Sequence, residues 1–218
     1  IDKALDNIRS TKYNGVLGIN IGKNFSTPIE LAIDDYLICF RKAYLYASYI
    51  AINISSPNTK GLRKLQGNNF FEKLIKDIKS EQTRLNLMHN KYTPFVIKIS
   101  PDASNADLDN ICKIIMKYNV DGIIATNTTT TRDNVSLNKY HKEEGGLSGK
   151  PLLQKALKTQ IYISKKLNNK IPIIGVGGIM NGKDGLDRIN NGASLIQIYS
   201  GLIFKGHSLI YELCNRIK

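Results

Sequence analysis

Six short apolar runs constrain this chain more than anything else in it. GVLGINI at 15–21, YIAINIS at 49–55, PFVIKIS at 94–100, DGIIAT at 121–126, IPIIGV at 171–176 and SLIQIY at 194–199 are each about the length of a strand. Apolar runs with little alternation read as strands buried on both faces. Between them, apolar residues fall at helical spacing, as do Phe70, Leu74, Ile78 and Leu85 within 69–90. Regular alternation of buried strand and helix predicts a parallel sheet with helices packed against it. An open doubly wound sheet is complete with six strands. A (β/α)8 barrel needs two more, and residues 1–12 read as the end of a helix that began upstream.

Helix starts carry their own chemistry. Thr27-Pro28-Ile29-Glu30 opens an amphipathic helix expected to reach about Ser48. Ser104 with Asp107 makes a capping box for a helix expected to reach Asn119. Pro151 stands at the first position of a helix expected to end near Leu167. A short helix through about Asn190 and a closing helix to about Lys218 complete the pattern. Residues 61–67 read as a basic loop. The polar stretch 127–150 is long for a connector, which points to function. Nothing marks a domain boundary, so residues 1–218 are expected to be a single domain.

Composition narrows the function classes. With 218 residues, 42% of them hydrophobic, the chain can bury one substantial core. No apolar run approaches the roughly 18–20 residues of a membrane-spanning helix. Cys39, Cys112 and Cys214 are widely spaced, as are His89, His141 and His207, so neither a disulfide framework nor a metal site is expected. The net charge of +13 invites a nucleic-acid reading. The lysines are spread over every helix, beside Glu and Asp, in a chain rich in the residues of A/T-rich codons, so no nucleic-acid partner is expected. The chain begins at Ile1, which marks it as a processed product or a piece of something longer.

The ends of the apolar runs are where chemistry gathers. In order they carry Asn20; Asn53 with Ser56, Asn58 and Thr59; Lys98; Thr126, Asn127 and Thr128; Gly177 and Gly178; Tyr199 and Ser200. Pro57 forces the chain out of the sheet after the second run. In parallel α/β folds the carboxyl edge of the sheet is the ligand edge. Amides, hydroxyls, glycines and one cation, without a carboxylate pair or a His dyad, suit a flat, hydrogen-bonding, partly anionic ligand. They do not suit hydrolysis. Lys98 sits between Ile97 and Ile99, and a lysine inside a buried strand needs a partner, so a functional cation is expected there. Gly177-Gly178 and Tyr199-Ser200 close the last two strand–helix loops, the pair that commonly binds phosphate in barrels.

The motifs LGINIGKN at 17–24, DDYLIC at 34–39, YIAINISSPNTKGLR at 49–63, KISPD at 98–102, GIIATNTT at 122–129, GGLSGKPL at 145–152, PIIGVGGI at 172–179 and QIYSG at 197–201 resemble class 2, quinone-dependent dihydroorotate dehydrogenase, most of all its enterobacterial form. The resemblance spans essentially the whole chain. It implies an FMN-bearing (β/α)8 barrel, here partial, with about six βα units and the first two strands upstream of Ile1. It implies oxidation of dihydroorotate to orotate in pyrimidine biosynthesis, with electrons passed to a membrane quinone. FMN contacts are implied for Asn20, Asn53, Lys98, Thr126, Gly149, Gly178, Tyr199 and Ser200. Contacts to orotate are implied for Asn53, Asn58, Asn127 and Thr128, and the catalytic base is Ser56, where class 1 relatives carry cysteine. The family's alanine–glycine flavin loop, a substrate lysine and a membrane-docking helical pair would lie upstream. The whole protein is therefore expected to be a monomer bound peripherally to the cytoplasmic side of the bacterial inner membrane.

A serine hydroxyl is a weak base at neutral pH, so Ser56 needs a relay, for which Thr59 and a water serve. The segment from Thr59 to Leu65 has the makings of a lid. Two other readings stand beside this one: an inactive truncated remnant, and another FMN barrel such as a tRNA dihydrouridine synthase, which uses a cysteine as its acid.

Overall fold

The computed structural model describes residues 1–56 and 68–217. Six parallel strands, β1 (Gly18–Ile21), β2 (Tyr49–Asn53), β3 (Phe95–Ile99), β4 (Gly122–Ala125), β5 (Ile173–Val176) and β6 (Leu195–Gln197), lie side by side in sequence order. Among the described residues the sheet does not close on itself: β1 and β6 are its edges. Helices α1 (Asp2–Ser10), α2 (Ala32–Ala43), α3 (Asn68–His89), α4 (Asn105–Lys117), α5 (Leu153–Leu167), α6 (Gly182–Asn190), α7 (Ser200–Lys205) and α8 (Ser208–Ile217) complete the units. This is a partial (β/α)8 barrel.

The pleat sorts each strand into two faces. Ile19, Ile21, Ile50, Ile52, Ile97, Ile99, Ile123 and Ile173 join the large core under the helices. Ala51, Val96, Ile124 and Val176 form a small cluster on the other, inner face. Because side chains alternate with period two, Asn53, Lys98 and Thr126 continue the inner rows one step beyond Ala51, Val96 and Ile124. The register agrees: Asn53 lies opposite Lys98, and Asn20 opposite Ala51. One face therefore receives the polar strand ends.

Helix boundaries follow local chemistry. The capping box of α4 is present, with Ser104 Oγ accepting from Asp107 N at 3.2 Å and the Asp107 carboxylate accepting from Ser104 N at 3.2 Å. The helix expected over 27–48 is shorter: a 3-10 turn at Ile29–Leu31 leads into α2, which stops at Ala43. The Lys91 ammonium donates to the carbonyls of Leu45 at 2.7 Å and Ala47 at 3.1 Å, satisfying groups in the turn after α2 that have no helical partner. The closing helix is broken into α7 and α8 at Gly206, whose φ of 61° suits glycine.

Candidate active site at the strand ends

The centre of the inner face is an amide network joining β2, β3 and the segment after β4. Asn127 Oδ1 accepts from Thr128 N at 2.8 Å, which fixes the orientation of the Asn127 amide. Its Nδ2 then donates to Asn53 Oδ1 at 3.1 Å and to Ser55 Oγ at 3.2 Å. Ser55 Oγ in turn donates to the carbonyl of Lys98 at 2.6 Å. Asn53 Oδ1 is thereby committed as an acceptor, and the Asn53 NH2 group has no acceptor among the described residues. Tyr36 of α2, fully buried, donates its hydroxyl to the Asn53 carbonyl at 2.7 Å. Burial, with Asp35 nearby, pushes that phenol well above its ordinary pKa, so it stays a donor at any working pH.

Lys98 is half-buried on this face and forms no ion pair among the described residues. Burial alone lowers its pKa, the response of a cation whose environment offers no counter-charge. It opens into a cavity of about 260 Å3 whose walls include Thr126, Asn127, Gly149, Gly178, Tyr199 and Ser200. Thr126 is buried, with its N–H on Val176 O at 2.9 Å and its hydroxyl on Asn127 O at 2.9 Å. Ser200 Oγ donates to Ser148 Oγ at 2.9 Å, a hydroxyl pair on the cavity wall. Gln197 lines the cavity too, and its buried Oε1 has no partner among the described residues. This set of one cation, backbone N–H groups, hydroxyls and an open acceptor fits the phosphate and the hydrogen-bonding ring of a flavin nucleotide.

The expected residues are distributed unevenly around this centre. Lys98, Thr126, Gly149, Gly178, Tyr199, Ser200, Asn127 and Thr128 line the cavity together. Asn53 stands beside it through Asn127. Asn20 is exposed on the inner face of β1, two strands from Lys98, and does not line the cavity. Ser56 is half-buried at the end of the path out of β2. Asn58, Thr59 and the expected lid lie outside the described residues. Gly178 is also held to glycine by packing. Its φ is 77°, and a Cβ there would meet the backbone N and Cα of Leu153 at 2.5 Å.

The long segment after β4 is pinned from behind. Asp102, just beyond β3, forms an ion pair with Lys155 of α5 at 2.5 Å and accepts from Thr130 N at 2.9 Å and from the Thr129 hydroxyl at 2.5 Å. Burial pushes the Asp102 carboxyl up, but Lys155, Thr129 and Thr130 together hold it down at about 2. Arg132 donates to the carbonyls of Glu143 at 3.1 Å and Gly145 at 2.7 Å, and Thr129 bridges to Leu147. Asn127, Thr128 and Gly149 are thus presented from a braced loop. Asp102 sits inside the KISPD motif, but sequence reading assigned it no role. A half-buried carboxylate opposite a lysine 53 positions later leaves no local pattern. Ser55 was missed as well, although it shares the inward parity of Ala51 and Asn53.

Set against known proteins, residues 1–218 match the family profile described as dihydroorotate dehydrogenase. The dihydroorotate dehydrogenase (quinone) of Wigglesworthia glossinidia brevipalpis is 52% identical over 214 residues, which cover 98% of this chain and 64% of that protein. That of Nitrosomonas eutropha is 50% identical over 220 residues, covering 99% of this chain and 64% of that protein. The crystal structure of ligand-free DHODH from Eimeria tenella superposes with a TM-score of 0.88 at 31% identity, over 99% of this chain and 64% of that one. The chain thus spans about 64% of the length of these relatives.

Proposed function

The chain belongs to the dihydroorotate dehydrogenase family, and from that premise we propose that the protein it represents oxidises dihydroorotate to orotate with bound FMN and passes the electrons to a quinone. The observation that carries this reading is Lys98. A half-buried ammonium without a carboxylate partner among the described residues opens into a cavity walled by glycines and hydroxyls, with the Asn53–Asn127–Ser55 amide network beside it.

Desaturating dihydroorotate takes a proton from one ring carbon and a hydride from its neighbour. The chemistry FMN supplies when bound is acceptance of that hydride. Ser56 is the base at the proton-bearing face, with Thr59 and a water as its relay. Lys98 stabilises negative charge that develops in the site. It needs no reorganisation to do so, because it is fixed inside a strand. Asn53 presents its NH2 to a ligand carbonyl, and Asn127 keeps Asn53 in that orientation. Every polar atom of the Asn127 amide is committed to protein partners, so its larger contribution is positioning. Thr128 and Asn58 complete the substrate contacts. Asn20, Thr126, Gly149, Gly178, Tyr199 and Ser200 complete those to FMN.

The protein acts as a monomer at the cytoplasmic face of the bacterial inner membrane. Attachment is peripheral in this reading, through helices outside this chain; among the described residues no helix is long and apolar enough to cross a membrane. The dihydrouridine synthase alternative is weakened by the cysteines. Cys39, Cys112 and Cys214 lie on α2, α4 and α8, away from the strand ends. The test is purification of the full-length protein with its native flavin, followed by anaerobic addition of dihydroorotate. Stoichiometric FMN bleached by dihydroorotate supports the reading. Absent flavin, or flavin that dihydroorotate leaves oxidised, removes it.

A further inference from the structure

Arg188 of α6 is the largest fully buried side chain of the described residues. Among the described residues its guanidinium meets only carbonyl oxygens: Gly177 O at 2.5 Å, Gln160 Oε1 at 3.2 Å and, more distantly, Leu153 O at 3.5 Å. Its Nε has no partner among the described residues. Asp184, one turn earlier on the same helix, makes no ion pair with it, and the Asp184 carboxylate accepts instead from Met180 N at 2.9 Å. Burial pulls the Arg188 pKa down to about 10, with Asp184 opposing only in part. A buried cation held by neutral carbonyls is a costly brace, and an uncharged side chain would brace the loop at less expense in desolvation.

The orientation of one peptide group says what the charge is for. The Gly177–Gly178 bond is trans, because Ala125–Thr126 is the one cis bond among the described residues. In a trans peptide the C=O and N–H point in opposite directions. With the Gly177 carbonyl held on Arg188, the Gly178 N–H points away from Arg188. Gly177 and Gly178 line the cavity together with Tyr199 and Ser200. We propose that Arg188 is a positioning residue for a phosphate monoester: it turns the Gly178 N–H into the cavity and places a fixed positive charge behind it, so that the site selects a phosphorylated flavin over an unphosphorylated one. This rests on reading the cavity as a flavin site.

The test uses apoprotein of the full-length chain, titrated separately with FMN and riboflavin and followed by quenching of flavin fluorescence. Arg188→Met keeps the bulk and removes the charge. FMN affinity falls by roughly 10–100-fold, the range for losing a hydrogen-bonded charge, while riboflavin affinity stays nearly unchanged. Arg188→Lys keeps the charge and retains most of the preference for FMN. Equal losses for both flavins in the Met variant, or no loss for either, overturn the proposal. If the Met variant does not fold, the Lys variant decides: a retained FMN preference supports the proposal and a collapsed one overturns it. A wild-type apoprotein that binds neither flavin refutes the flavin reading itself, and the proposal with it.

Discussion

Two residues show how much of the site is held by packing and hydrogen bonding rather than by reacting groups. Ser55 is fully buried and joins the Lys98 carbonyl to the Asn127 amide. Ser55→Ala leaves that carbonyl and one N–H of Asn127 short of a partner. The expected loss is about 1–3 kcal/mol of stability, with a weaker grip on orotate than on flavin. Urea unfolding and orotate titration of the full-length variant check this, and an unchanged midpoint would contradict it. Gly178 is similarly constrained. Because a Cβ there runs into the Leu153 backbone at φ 77°, Gly178→Ala is expected to lower the unfolding midpoint as well as flavin content. A variant with native stability would show that α5 can move aside. The polar strand ends were legible in the sequence because each follows an apolar run. Ser55 was hidden by the neighbouring, more conspicuous Ser56. Arg188 was hidden in an ordinary amphipathic helix, since nothing local says that its guanidinium reaches the carbonyl of Gly177.

At the scale of elements, the segment after β4 depends on Asp102. Its carboxyl is held at about 2 in the folded chain, below its ordinary value near 3.8. Glu81, gripped by Arg84 against the opposing effect of burial and further by Arg41, is likewise held at about 2. Depressed carboxyl pKa values contribute stability that is complete above the unfolded-state values and is lost as pH falls through the folded ones. The acid limb of stability is therefore expected between about pH 4 and pH 2. Asp102→Asn should flatten that limb, reduce stability at neutral pH and loosen the presentation of Asn127 and Thr128. Unfolding free energies measured against pH in the full-length protein would contradict this if the Asn variant kept the wild-type slope. All six strands were legible, because apolar runs of that length have few other uses. Their ends, and the stop of α2, were not. Lys91 pins the turn after α2 from far along the chain, and the break at Gly206 looked like one helix because α7 and α8 share an apolar pattern.

At the scale of the molecule, the open sheet leaves apolar surface at both edges. Phe25, after β1, is 78% exposed, Leu195 of β6 is 62% exposed and Phe204 of α7 is 78% exposed. Exposed parallel edges with apolar flanks favour association. The 218 residues expressed alone are expected to associate on gel filtration and to fail to reduce quinone, whereas the full-length protein elutes as a monomer and turns over. A monomeric, quinone-reducing fragment would contradict that. The parallel sheet was readable from strand alternation and the shared ligand edge from the polar strand ends, whereas the choice of barrel over open sheet came from the family resemblance. The braces from Asp102, Arg188 and Tyr36 became visible only when distant parts of the chain were brought together. In the proposed function, the face joining Asn53, Lys98 and Asn127 carries out dihydroorotate oxidation with Ser56 as the base. The decisive test is anaerobic stopped-flow reduction of the flavin by dihydroorotate in the full-length Ser56→Ala variant. Flavin reduction is expected to slow by roughly 10²–10⁴-fold, with FMN content and reoxidation by quinone nearly unchanged. Flavin reduction at close to the wild-type rate would contradict it.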